Sequence, residues 1–165
     1  MYVGPLLKRI HGAETDLAEE YRKTGERHAV EHDVFHTSHT LAKQCIAHAN
    51  SLQPFLERYE GRSPDPVDEE PGPWANVLAG LRRKMAEAVG RRELPGLLLL
   101  RDLTNLYLAV AECDVLWVLA GQAAQVLRDT ELLDVITRCD EQTKTQMKWL
   151  KTRLKEAAPQ TLAVG

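Results

Sequence analysis

Apolar residues recur at intervals of three and four along most of the chain, a spacing that places them on one face of an α-helix. Leu6, Ile10, Ala13, Leu17, Tyr21 and Thr24 form the first stripe. Pro5 stands where a helix can begin, because its missing N–H costs nothing in the first turn. The pattern predicts a helix over about 5–28. His28 to Asp33 reads as a corner, with Asp33 as N-cap of a second helix over about 33–60. Its stripe runs through Phe35, Ser38, Leu41 or Ala42, Cys45, His48 or Ala49, Leu52, Phe55 or Leu56, and Tyr59. Pro54 is expected to kink this helix near its end, and Gly61 to terminate it.

The rhythm then stops. Pro64, Pro66, Pro71 and Pro73 exclude helix and central strand, so an exposed connection follows. Trp74, Val77, Leu78, Leu81, Met85 and Val89 mark a short amphipathic helix over about 74–90, inside a crossover spanning 61–96. From 97 to 127 the pattern changes again. Leucines, valines and aromatics leave little polar face, so this helix is buried against several neighbours or against another subunit. It is the expected homodimer interface, with Trp117 and Leu119 as contacts; the alternative is that the helix at 74–90 covers it. Asp129 or Thr130 caps a last helix over about 130–158, striped by Leu132, Leu133, Ile136, Thr143, Met147, Leu150 and Leu154. Pro159 is expected to stop it.

Composition narrows the reading. The 165 residues predict one all-α domain over 1–165, rich in helix formers and only 5% aromatic. A net charge of −3 gives no basic surface for nucleic acid. No leader pattern is visible and the apolar runs are short, so no membrane association is expected. Cys45, Cys113 and Cys139 are widely spaced and odd in number, which suits a reducing cytoplasm. Nucleotide, zinc-protease and serine-hydrolase motifs are absent.

Two long hairpins, 5–60 and 97–158, joined by a long crossover resemble the ferritin-like four-helix bundles, in particular a small bacterial branch that includes stress-associated proteins. Active members hold two metals with a Glu from each of two helices and Glu-x-x-His from each of the others. Residues equally far from a hairpin corner lie at equal height, and counting from residues 30 and 128 finds polar groups near mid-height on each helix. The resemblance then implies a metal set of Glu14, His48, Glu112 and Glu141, for iron or manganese in a redox or storage role. The set is degenerate. Cys45 stands where the second helix would carry Glu, and Lys144 where the fourth would carry His. Glu112 and Asp114 interrupt the most apolar helix and need a cation, for which Lys144, Arg101, Arg138 or a metal are candidates. The leading expectation is therefore a non-catalytic interaction or stress-associated protein without a cofactor, and the di-metal protein is the alternative. A second cluster, His28, His32, His36 and His39, crowds the first corner. His32, His36 and His39 have spacings at which imidazoles can share a helix face and a surface metal.

Overall fold

The computed structural model describes residues 2–67 and 95–164. Its helices are α1 (Val3–Arg27), α2 (His32–Ser51), α3 (Gln53–Glu60), α4 (Pro95–Leu127) and α5 (Thr130–Leu162). The fold is all-helical, with no strand among the described residues. The expected helix at 74–90, including Trp74, lies outside the described residues.

Short corners make α1–α2 and α4–α5 antiparallel pairs, and α1 also packs along α4. At the first corner Gly25 lets the helices close: a Cβ there would sit 3.2 Å from that of Ser38 and 3.3 Å from the Phe35 carbonyl. Along α1 and α4 the contacts run in opposite directions, Arg9 meeting Glu112 and Arg27 meeting Asp102. Side chains of α2 reach α5 in the same antiparallel sense, from Gln44 to Gln146 and from Ser51 to Cys139.

The buried stripes differ in detail from the sequence reading. On α1 the innermost side chains are Leu7, Ile10, Glu14, Leu17, Ala18 and Tyr21, while Leu6 and Ala13 only pack against that core. The α2 stripe goes through Ser38, Ala42, Cys45, His48 and Ala49. The helix breaks at Leu52 and resumes as α3 with Pro54 in its first turn, where the missing N–H is harmless. Glu31, not Asp33, occupies the N-cap of α2 and makes no side-chain cap bond there. Pro159 does not stop α5, which continues to Leu162. So near the end, the proline removes one backbone bond but leaves the last turn to close through Ala163 N–H on the Pro159 carbonyl.

Asp129 caps α5 by accepting the Leu132 N–H at 3.1 Å. Arg58 and Tyr59 at the end of α3 donate to the same carboxylate at 2.8 and 2.7 Å, tying α3 to the second corner. Gly61, at φ 75°, ends α3 in the left-handed conformation that glycine takes without strain. The strap that follows is fastened down. Asn50 exchanges two hydrogen bonds with the Val67 backbone, at 2.9 and 3.0 Å, and Gln53 donates to the Pro64 carbonyl.

One face of α4 is unlike the rest of the surface formed by the described residues. Leu108, Val115, Leu119 and Val126 are 62, 56, 51 and 83% exposed, and Leu97, Val118 and Leu127 are exposed beside them. The spacing of Leu97, Leu108, Val115, Leu119 and Val126 forms one outer stripe along the helix, with Val118 and Leu127 on its two flanks. Trp117 faces the opposite way and is fully buried, so only Leu119 of the two expected contact residues lies outside. By length and composition alone α4 could also cross a membrane, a test that a bundle's core helix passes too.

Candidate functional site: a buried polar centre

Halfway along the bundle the four long helices bury polar groups against each other. Glu14 on α1 is 1% exposed and His48 on α2 is 2% exposed. The Trp117 indole N–H on α4 donates to Glu14 Oε1 at 2.9 Å. His48 Nδ1 lies 3.3 Å from Glu14 Oε2, and its Nε2 is 2.7 Å from Gln142 Oε1 on α5. The imidazole also meets the Trp117 ring edge-on, at 6.0 Å between centroids.

One turn further along α5, Gln146 is equally engaged. Its Oε1 accepts the Tyr21 hydroxyl at 3.0 Å, and its Nε2 donates to Gln44 Oε1 at 2.7 Å. The Cys45 thiol lies 3.8 Å from the same Oε1. Cys45, Cys113 and Cys139 are all free and buried. Burial and then the nearby Glu14 carboxyl push the Cys45 and Cys113 thiols well above the usual range. Burial raises Cys139 to about 11, against a hydrogen bond with Ser51 that lowers it. Thiols held protonated this way are neither nucleophiles nor ready metal ligands.

The four residues of the expected metal set do not meet. Glu14 and His48 are neighbours at the centre. Glu112 is exposed and pairs with Arg9 at 3.1 Å. Glu141 is exposed on α5. Lys144 pairs within its own helix with Asp140 instead of neutralising Glu112. Among the described residues no three His, Cys, Asp or Glu side chains are grouped to hold a metal ion, so a di-metal centre does not fit this donor set. The height counting finds the correct level but the wrong face. Neighbouring positions on a helix point about 100° apart, so Cys113 and Gln142 face inward while Glu112 and Glu141 face out. The inward face of α4 is the one that buries Leu106, Val110 and Trp117, and their spacing takes in Cys113 and not Glu112.

A second buried acid lies toward the first corner. Asp102 on α4 is 4% exposed and receives His28 at 2.8 Å and Arg27 at 2.6 Å, both on Oδ2. Arg101 approaches Oδ1 at 3.4 Å. Burial would raise the Asp102 carboxyl, but the hydrogen bonds from His28 and Arg27 outweigh it and hold the group below the usual value. The histidine cluster is thereby divided. His28 turns inward, His39 pairs with Glu26 at 3.2 Å, and His32 and His36 are exposed. They do not converge as a surface metal site.

Comparison of the chain with protein-family models, curated proteins and solved structures finds no match in any of the three.

Proposed function

We infer that the protein is a non-catalytic bundle of ferritin-like arrangement that works by association, pairing with a second copy of itself through the outer face of α4. The arrangement rests on direction. The third long helix, α4, runs antiparallel to α1, whereas a simple up-down-up-down bundle would make it parallel; a long crossover between the hairpins produces this order. The non-catalytic part rests on the closed centre. Trp117, Gln142 and Gln146 occupy positions where an active site would need open donors. The free thiols are consistent with a reducing cytoplasm as its location.

The observation that carries the reading is the apolar outer stripe of α4. It presents on the order of 600 Å² of apolar surface, at the upper end of the largest single patch on an ordinary monomer, a size that is often functional. It also approaches the roughly 800 Å² per partner of a standard interface. A straight stripe on one helix is self-complementary when a second copy lies across it by a two-fold axis. Light scattering on size-exclusion fractions tests this. The expected result is twice the chain mass, falling to a monomer of unchanged helix content when Leu108, Val115 and Leu119 are all changed to Glu. A wild-type monomer at about 100 μM, well above a micromolar Kd, would overturn the reading. So would preferential binding of the same face to neutral lipid vesicles.

A further inference from the structure

On the far side of α1, a cavity of about 390 Å³ opens between that helix, α3 and the strap. Lys8, His11 and Gly12 line it from α1, Leu56 from α3, and Arg62 and Pro64 from the strap. Its wall is built rather than incidental. The left-handed Gly61 turns the strap back, and Gln53 and Asn50 fasten it at Pro64 and Val67.

Five features give the cavity a chemical preference. Lys8 and Arg62 bring two cations to its edge, and neither has an ion-pair partner among the described residues. His11 is only 9% exposed, and its Nε2 is buried without a hydrogen bond among the described residues. A buried imidazole nitrogen ordinarily has a partner, and burial holds this ring below its usual 6.5, in the neutral form that can donate or accept. Gly12 provides space, because a Cβ there would meet nothing within 4 Å. Glu60, the acid at the rim, lies against Gly4 in the first turn of α1, where a Cβ would come within 2.0 Å of its carboxyl oxygen. That position is favourable for an acid, at the positive end of the helix. Exposed Pro64 supplies an apolar surface beside the cations, and Leu56, 1% exposed, closes the floor behind it.

We propose that this cavity binds a small organic anion, with its carboxylate or phosphate head between Lys8 and Arg62 and its apolar body against Pro64 and Gly12. The arginine fork and the lysine point charge both suit an oxyanion. The Ser63 hydroxyl, also on the wall, adds a donor. This site stands apart from association through α4, and either can fail without the other.

Calorimetric and NMR titrations of the full chain with benzoate, phenyl phosphate and inorganic phosphate test it. At least one aromatic probe is expected to saturate with a Kd below about 1 mM, at least fivefold tighter than inorganic phosphate, while moving the His11 ring resonances. Whichever aromatic probe binds tighter identifies the head group. Gly12→Leu fills the cavity and improves helix propensity, so it should weaken binding at least tenfold with no loss of melting temperature. Arg62→Ala should weaken it similarly. Absence of saturation by about 10 mM, static His11 resonances, or undiminished affinity in Gly12→Leu would each overturn the proposal.

Discussion

Glu14 and Asp102 are both buried acids at the α1–α4 seam, and both take a histidine, yet they are held in opposite ways. Asp102 lies toward a corner of the bundle and is met by a guanidinium from Arg27, itself 38% exposed. Glu14 lies at the centre and is met by an indole N–H and an imidazole, with no arginine or lysine in contact among the described residues. An arginine can bring its charge to a buried acid only where its stem starts near solvent. At mid-height that route is closed, and the acid is held by groups that cost less to bury. The corner is therefore an electrostatic clasp, and the centre combines separate hydrogen bonds, Trp117 to Glu14 and His48 to Gln142, with a close approach of His48 Nδ1 to Glu14 Oε2 that is not itself a hydrogen bond.

Substitutions should separate the two. The largest effect is expected from Asp102→Ala, which leaves Arg27 and His28 facing a vacated buried position; a loss of about 3 kcal/mol in urea unfolding is expected. A double-mutant cycle with Arg27→Ala should show strong coupling, and simple additivity would argue that the clasp is ornamental. Trp117→Phe keeps an aromatic side chain but removes the donor to Glu14 and part of the indole volume, and about 2 kcal/mol should be lost. If stability is unchanged, that hydrogen bond is not what holds the centre.

Acid should act on the corner. The unfolded Asp102 titrates near 3.8 and the folded one lower. Between those values the unfolded chain binds the extra proton, so this contribution is complete above about pH 4 and lost as pH falls through the folded value. Asp102→Asn should flatten the acid limb of the stability profile, and an unchanged slope would contradict the assignment. The smallest effects are expected at Glu112→Ala and Glu141→Ala, each within about 0.5 kcal/mol because both side chains are exposed. A larger loss at either would mean that these acids take part in the centre after all.

Those last two residues show where the sequence stops being legible. Helical periodicity reveals the helices and their corners and narrows the second cap to Asp129 or Thr130, because each depends on residues close together in the chain. Glu14, Cys45 and His48 are legible as a mid-height group because α1 and α2 share a corner only four residues long. The partners from α4 and α5 are harder to read. Choosing Cys113 over Glu112, or Gln142 over Glu141, requires the rotation of each helix to better than one residue. On α4, apolar residues on both the inner and outer faces erase that signal. The Arg27–Asp102 clasp and the Asn50–Val67 fastening are invisible for another reason: they join side chains to partners set by packing, with no short motif behind them.

Cys45, Cys113 and Cys139 sit on three different helices of one core, each free, shielded and held protonated by burial. A maleimide added to the native protein can react with each only when its own stretch of helix opens. Nature has thus installed three internal clocks. Their separate alkylation rates would time the breathing of α2, α4 and α5 without adding any foreign label to the chain.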